Sequence, residues 1–161
     1  MEDPTPDGGG LMTLTWEEFG RTVREFAEDI RAQFQPELVV GIARGGVIVG
    51  AVLASALQVD FFPIKISRRV MLEVVSEEPL LLIKPYRYAA GKRVLLVDDV
   101  SRSGETMRIA QRALERFGPA EVRTAAYADY PGDGYEPDFF KLQLEAPLAF
   151  PWDYHLLEKK E

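Results

Sequence analysis

Residues 94–106 decide the fold of this chain, and they read Val94-Leu95-Leu96-Val97-Asp98-Asp99-Val100-Ser101-Arg102-Ser103-Gly104-Glu105-Thr106. The stretch opens on valine and leucine, and the run from Arg93 to Val97 is typical of a buried strand in a parallel sheet. Two adjacent carboxylates follow this run. We predict a polar loop over residues 98–103 and then an amphipathic helix over residues 105–117.

The polar part of this stretch has the composition of a sugar-phosphate site. Hydroxyl groups and free backbone N–H groups at the N-terminus of a helix bind phosphate. The carboxylates of Asp98 and Asp99, a few residues upstream, can hold vicinal ribose hydroxyls or a divalent cation. An alternative interpretation is structural, in which the two aspartates end a strand and Ser103 caps the helix.

A second loop has the same strand-to-helix layout and reads Gly41-Ile42-Ala43-Arg44-Gly45-Gly46-Val47. Its two adjacent glycines let the backbone approach a ligand, and the guanidinium of Arg44 suits phosphate. The loop matches neither a Walker A motif nor G-x-G-x-x-G. By itself it also fits a tight turn, but two loops of this kind in one small sheet favour a phosphate ligand.

The rest of the chain alternates strands and helices. This order predicts an α/β fold, a mostly parallel twisted sheet flanked by helices, with ligands at the carboxyl ends of the strands. Thr15 and Glu18 have the spacing of a capping box before an amphipathic helix that runs to Phe34. The other predicted elements are strands over 38–43, 60–66 (with Pro63 at an edge or irregular position), 80–83, 122–128 and 139–144, and a helix over 47–57.

Length and composition bound the function. The start of the chain is acidic and turn-rich, and we predict a flexible leader over 1–12; the length of 161 residues then predicts a single domain over 13–161. With 19 basic and 26 acidic side chains, the net charge of −7 argues against nucleic acid or an anionic membrane as a partner. No apolar run approaches the ~20 residues of a membrane helix, so we expect a cytoplasmic protein. Without cysteine and with one histidine, any bound metal would be oxygen-ligated, which means magnesium, calcium or manganese.

The stretch 94–106 resembles the phosphoribosyl pyrophosphate signature of type I phosphoribosyltransferases, in which an apolar strand is followed by Asp-Asp and then by Thr/Ser-Gly-x-Thr. Residues 43–46 resemble the pyrophosphate loop of the bacterial xanthine-guanine and archaeal purine phosphoribosyltransferases. The entry at residues 14–16 and the exit Phe150-Pro151-Trp152-Asp153 are also similar to that subgroup. The resemblance covers residues 14–154, nearly the whole chain.

The resemblance implies an enzyme that moves a 5-phosphoribosyl group from phosphoribosyl pyrophosphate to a nucleobase, a purine, in nucleotide salvage. It implies Mg²⁺ as cofactor, held by Asp99 and Asp153, and assembly as a dimer or tetramer. Catalysis would fall to Asp98, Asp99 and Arg44. The implied donor-binding residues are Arg44, Gly45, Gly46, Asp98, Asp99, Ser101, Arg102, Ser103, Gly104, Glu105 and Thr106.

In the family, a small C-terminal hood covers the base, and a mobile loop closes over the site. Here the implied base-binding residues are Asp129, Leu148, Phe150 and Trp152, and the loop falls at residues 67–79. The alternative for Phe150 and Trp152 is plain core packing.

Three positions depart from the family pattern. Arg102 stands where purine members commonly carry an acid, Asp129 where they carry a lysine that reads a 6-oxo group, and Arg68 where a tyrosine follows the serine. A carboxylate accepts hydrogen bonds, so Asp129 in the base pocket would suit a 6-amino group or a ring N–H. The competing interpretation is that Asp129 faces solvent and that Tyr130 or a backbone carbonyl reads the base.

Two other functions compete with the enzyme. One is a phosphoribosyltransferase-fold protein that binds the donor or a nucleotide for regulation, without turnover. The other is a phospho-acceptor receiver domain, because residues 93–99 also resemble its first strand with an acidic pair. A receiver needs ~110 residues after that strand, and only 62 follow Asp99, which excludes it.

Overall fold

The computed structural model describes residues 10–67, 69–70, 73–74, 80–83, 86–132 and 134–157, and it describes no side chains over 67–87. In chain order the elements are β1 (Met12–Thr13), α1 (Trp16–Gln33), β2 (Leu38–Ile42), α2 (Gly45–Leu57), β3 (Asp60–Ser67), β4 (Arg69–Val70), β5 (Glu73–Val74), β6 (Leu80–Ile83), α3 (Tyr86–Ala89), β7 (Arg93–Ser101), α4 (Glu105–Glu115), β8 (Glu121–Asp129), β9 (Phe139–Gln143), β10 (Leu148–Ala149) and α5 (Tyr154–Leu157).

A six-stranded sheet in the order β6-β3-β2-β7-β8-β9 forms the centre of the molecule. Five of its strands are parallel, and β6 is antiparallel to β3. The predicted α/β fold is thus confirmed. Strands β2 and β7, which precede the two candidate loops, are direct neighbours, so their carboxyl ends lie side by side.

Two hydrophobic cores cover the faces of this sheet. One lies between α1, α2 and a sheet face that includes Val39, Leu95 and Tyr127. The other lies between α4 and the face that includes Val40 and Leu96. The predicted capping box begins α1: the Thr15 hydroxyl accepts the N–H of Glu18 at 3.2 Å, and the Glu18 carboxylate accepts the N–H of Thr15 at 2.8 Å.

Several predicted boundaries need correction. Strand β7 continues to Ser101 because β8 offers it a ladder that reaches Asp129, so Asp98 and Asp99 lie on the strand and not in a loop. Helix α2 begins two residues early, at Gly45, and α4 ends at Glu115 rather than at 117. Strand β6 pairs only with residues 65–67 of β3, so within the described residues β3 has no partner on that side at Pro63, as predicted.

The C-terminal segment, residues 144–157, attaches to the end of the sheet. The N–H of Leu144 donates to the Asp129 carbonyl at 2.9 Å, and β10 pairs in parallel with β1 through Met12 and Leu148. In the described part of the chain, no helix is both long and apolar enough to span a membrane.

Two predicted segments fall partly or wholly outside the described residues. Residues 1–9 of the predicted leader are among them. Of the predicted closing loop, β4 and β5 are described and pair in antiparallel fashion, whereas residues 68, 71–72 and 75–79 are not described. The mobility of this loop therefore stays a prediction.

Candidate active site

The two candidate loops meet at the carboxyl ends of β2 and β7. A β-carbon built on Gly45 would coincide with the carboxylate of Asp99, and one on Gly46 would lie 2.5 Å from the carbonyl oxygen of Val97. Any side chain at either glycine would therefore push the first turn of α2 away from the acidic strand. The structure thus brings the glycine loop and the acidic pair, which are about fifty residues apart in sequence, to one place.

The paired carboxylates are oriented by the backbone. The N–H of Asp99 donates to Oδ1 of Asp98, and the N–H of Val100 donates to Oδ1 of Asp99, both at 2.9 Å. Burial, and then the negative charge of Asp99, raise the pKa of Asp98 well above its usual range. Two like charges this close favour a cation or a hydroxyl-rich ligand between or beside them.

A cavity of about 170 Å³ lies beside these carboxylates, at the start of α4. The N-cap of the helix is Gly104, at φ 69°, and it has no side chain to cap the helix. The alternative that Ser103 is the N-cap residue of α4 is therefore wrong. Ser103 Oγ makes only a long contact, 3.4 Å, with the N–H of Glu105. Backbone N–H groups of the first helical turn are thus available to an anion. The lining residues are Asp98, Val100, Ser101, Arg102, Ser103, Gly104, Glu105, Thr106 and Met107.

The side chain of Tyr135 packs against the loop before α4 at Gly104, a contact that the sequence analysis did not predict. A β-carbon on Gly104 would run into the Tyr135 ring, and the Arg108 guanidinium lies 4.8 Å from the ring centroid. Arg108 also donates to the Ser103 carbonyl at 2.9 Å. No local signal marks Tyr135, because it lies some thirty residues along the chain from the loop that it contacts.

Arg44 is exposed and immediately precedes α2, after a cis peptide bond from Ala43. Its guanidinium has no salt bridge within the described residues. It is therefore available to a ligand, and its role in donor binding stays a prediction.

Two of the predicted base-binding side chains are part of the core. Phe150 is 1% exposed and Leu148 is 7% exposed. The Phe150 ring stacks on Trp152 with centroids 4.7 Å apart, so the alternative of core packing applies to Phe150 and to Leu148. Trp152 is only half-buried and also contacts Trp16 and Phe19. It remains the aromatic candidate for contact with a base.

Asp129 is 1% exposed at the end of β8, which rules out the interpretation that it faces solvent. Its neighbour across the ladder is Ser101. The Oδ1 atom of Asp129 and the Oγ atom of Ser101 are both buried, and neither has a hydrogen-bond partner among the described residues. Buried polar groups are rarely left unpaired, so these atoms mark a place where a ligand or a water molecule binds.

Of the predicted metal ligands, only the carboxylates of the Asp98-Asp99 pair fit magnesium in the described structure. Asp153 uses its Oδ2 to accept the N–H of Phe150 at 3.0 Å and closes the turn before α5. Within the described ranges, no group of three potential ligand side chains gathers at one point. A Mg²⁺ ion keeps several water or phosphate ligands, so two carboxylates are a sufficient protein contribution. Asp98 and Asp99 fit this role, and a role for Asp153 stays a prediction.

Comparison with known sequences identifies the class. The pattern of the phosphoribosyl transferase domain matches residues 12–159, and the chain belongs to this family. It is similar to the adenine phosphoribosyltransferases of Bordetella pertussis (39% identical over 105 residues, 59% of this chain and 56% of that protein) and Cupriavidus taiwanensis (36% over 104 residues, 60% and 55%). The chain spans little more than half the length of these curated relatives.

Comparison with solved structures gives the same fold. The purine phosphoribosyltransferase of Pyrococcus horikoshii superposes with a TM-score of 0.76 at 28% identity, over 89% of this chain and 94% of that chain. A hypothetical protein of Neisseria gonorrhoeae with bound ppGpp gives 0.75 at 21% identity, over 94% and 97%, which shows the fold alone. The family and the fold predicted from residues 43–46 and 94–106 are confirmed.

Proposed function

We propose that this protein transfers a 5-phosphoribosyl group from phosphoribosyl pyrophosphate to a purine base, as in nucleotide salvage. The observation that carries the proposal is the contact of Gly45 and Gly46 with the Asp98-Asp99 strand end, beside a cavity at the N-terminus of α4. Membership of the phosphoribosyl transferase family and the similarity to purine and adenine phosphoribosyltransferases support it.

The reaction displaces pyrophosphate from C1 of the ribose, so positive charge develops on the sugar and negative charge on the leaving group. Asp98 and Asp99 orient the ribose hydroxyls, and their negative charge lies near the sugar where positive charge develops. Arg44 and the backbone N–H groups at Gly45 and Gly46 receive the leaving pyrophosphate. Asp98 and Asp99 are also the residues that would hold Mg²⁺, whose chemistry there is to neutralise pyrophosphate oxygens.

The phosphate of the donor belongs in the cavity of the α4 loop. Its oxygens accept from the backbone N–H groups of the first helical turn and from the hydroxyls of Ser103 and Thr106. A phosphate held there fixes the ribose at one end.

For the base, adenine is the first candidate. Asp129 Oδ1 is a buried acceptor without a partner, and an exocyclic amino group would satisfy it. A 6-oxo group would instead face a second acceptor and leave both unpaired. The names of the curated relatives point to the same base.

A turnover assay with phosphoribosyl pyrophosphate, Mg²⁺ and adenine, hypoxanthine, guanine or xanthine tests the proposal. We expect release of pyrophosphate with adenine, and a shift toward the 6-oxopurines in Asp129→Lys. Fast wild-type turnover of guanine or xanthine would refute the role of Asp129.

Arg102 favours one alternative, in which the protein binds the donor or a nucleotide without turnover. A guanidinium cannot accept a proton at neutral pH. Arg102 therefore cannot take a proton from the purine, as the carboxylate of an acidic residue at this position could. Binding of phosphoribosyl pyrophosphate with no pyrophosphate release for any of the four bases would establish this alternative.

A further inference from the structure

Tyr130 connects two parts of the molecule that are distant in sequence. Its N–H donates at 2.9 Å to the carbonyl of Ser101, which is the last residue of β7 and lines the cavity at the start of α4. Its hydroxyl accepts the N–H of Leu148, in the C-terminal segment, at 2.9 Å. One half-buried residue is therefore hydrogen-bonded at its backbone to the end of β7, beside the phosphate-type loop, and at its side chain to β10.

The aromatic ring of Tyr130 contacts a cationic side chain, that of Arg102. The Arg102 guanidinium lies 4.0 Å from the Tyr130 ring centroid, within the range of a cation–π interaction. Arg102 is exposed and has no salt bridge within the described residues. The Tyr130 ring is thus the aromatic surface against which the exposed Arg102 guanidinium lies.

Two cavities share Arg102 as a lining residue. It lines the cavity of about 170 Å³ at the start of α4 and a second, larger cavity of about 470 Å³. The second cavity adjoins both the end of β8 and the C-terminal segment. Its lining residues are Arg102, Tyr130, Pro131, Gly132, Leu144 and Glu145.

The hydrogen bond to Leu148 bears on the aromatic residue that follows. Leu148 lies in β10, two residues before Phe150, and the Phe150 ring stacks on Trp152. Leu148 therefore lies in the same short stretch of chain as the Phe150–Trp152 pair, which is the aromatic part of the C-terminal segment. The phenol hydroxyl of Tyr130 is the side-chain contact through which the loop reaches this pair.

We propose that Tyr130 is a positioning residue that couples occupancy of the α4-loop cavity to the C-terminal segment, so that a bound donor fixes that segment for contact with the base. An anion in the loop cavity fixes the loop and the Arg102 guanidinium, and the Tyr130 ring and hydroxyl transmit this to Leu148. The inference rests on the proposed function for the identity of the two ligands, but the coupling itself can be measured without turnover.

The experiment compares wild type with Tyr130→Phe. This variant keeps the aromatic ring and its contact with the Arg102 guanidinium, and it removes only the hydroxyl. Tyr154→Phe is the matched control, because Tyr154 lies in the same segment and its side chain is 63% exposed. Hydrogen exchange of residues 144–157 is measured with and without inorganic phosphate, and with and without phosphoribosyl pyrophosphate and Mg²⁺. KM and kcat are then measured for adenine and hypoxanthine.

We expect phosphate and donor to slow exchange of the C-terminal segment in wild type and in Tyr154→Phe, and not in Tyr130→Phe. Loss of one neutral hydrogen bond predicts a KM for the base about three- to ten-fold higher in Tyr130→Phe. Its kcat and its affinity for the donor should stay within about two-fold, a division that general destabilisation would not give.

Arg102→Gln tests the second contact of the coupling, with Arg123→Gln as control, since the Arg123 guanidinium lies 5.2 Å from the Phe34 ring away from both cavities. The inference is overturned if neither phosphate nor donor changes exchange in wild type, or if Tyr130→Phe responds as wild type does. A phosphate response that is lost in Tyr130→Phe, in a protein that turns over no base, supports the coupling and refutes the proposed activity. Turnover of a base, together with hydrogen exchange in Tyr130→Phe that responds to donor as in wild type, supports the proposed activity and refutes the coupling.

Discussion

The loop before α2 and the loop before α4 both follow parallel strands and both open helices, yet they are built by opposite means. At the first, Gly45 and Gly46 have no side chains, and their backbone lies against the end of β7. Before the second, the end of β7 brings the carboxylates of Asp98 and Asp99 to the same point, and burial together with the charge of Asp99 raises the pKa of Asp98. One loop contributes space and the other contributes charge.

This difference separates two ways in which the site can fail. A substitution in the glycine loop acts through sterics and should affect packing and binding together. A substitution in the acidic strand acts through charge, so it should weaken binding of cation and donor without loss of the fold. The predictions below run from the largest expected effect to the smallest.

Gly45→Ala should have the largest effect. The new β-carbon would occupy the position of the Asp99 carboxylate, so either that side chain rotates away or the first turn of α2 shifts. We expect at least about a 100-fold loss of turnover from the misplaced groups and a loss of about 1–3 kcal/mol of stability from overpacking. Turnover and urea unfolding measure the two effects.

Gly20→Ala is the matched control, because its added β-carbon meets no atom within 4 Å and lies in the interior of α1. It should stabilise the protein by roughly 0.5–1 kcal/mol and leave turnover unchanged. If Gly45→Ala retained wild-type affinity for the donor, the close contact of the two loops would have no functional role.

Asp99→Asn should lower the affinity for Mg²⁺ and phosphoribosyl pyrophosphate by about ten- to 100-fold, since hydrogen bonds and ion contacts to a charged carboxylate are lost. Calorimetry with and without EDTA measures this. EDTA should weaken binding strongly in wild type and much less in the variant. Equal wild-type affinity in EDTA would remove the metal from the proposal.

Asp98→Asn should change the pH dependence of stability in metal-free protein. Because the folded state raises the pKa of Asp98 above its ordinary value of 3.8, the folded state holds a proton that the unfolded state has lost. The free energy of unfolding should therefore fall as pH rises from 3.8 through the raised pKa. Urea unfolding across this range should show the fall in wild type and a flatter profile in the variant.

Added Mg²⁺ should restore the stability of wild type at neutral pH, because the cation offsets the repulsion between the two carboxylates. Asp98→Asn should gain less from the cation. A wild-type profile that is flat in EDTA would contradict the electrostatic account of this pair.

Glu105→Gln should have the smallest effect, although it also removes a negative charge from the α4 loop. Its side chain is exposed, and only the backbone at this position is expected to face the phosphate. We expect the affinity for the donor to change by less than about two-fold and the free energy of unfolding by less than about 0.5 kcal/mol. A loss as large as that of Asp99→Asn would show that charge anywhere in the loop matters, and not charge at the strand end.

Local sequence determined much of this protein. The capping box at Thr15, the alternation of strands and helices, and the two strand-loop-helix stretches depend on residues close in sequence, so their patterns predict them. The pairing of Asp98 and Asp99 with the glycine loop also followed, because neighbouring parallel strands end at one edge of a sheet. The family resemblance at residues 94–106 rests on the same local order of residues.

The tertiary structure alone decided which polar and aromatic side chains are buried. Asp98 and Asp99 lie on a strand because β8, some thirty residues away in sequence, extends the ladder to Ser101. Phe150 lies in the core because its ring packs against Tyr127 of β8, with centroids 5.7 Å apart. Burial of Asp129 and the link that Tyr130 makes between Ser101 and Leu148 have the same origin. Contacts between residues far apart along the chain leave no periodic or local signal, so packing determines them and the pattern does not.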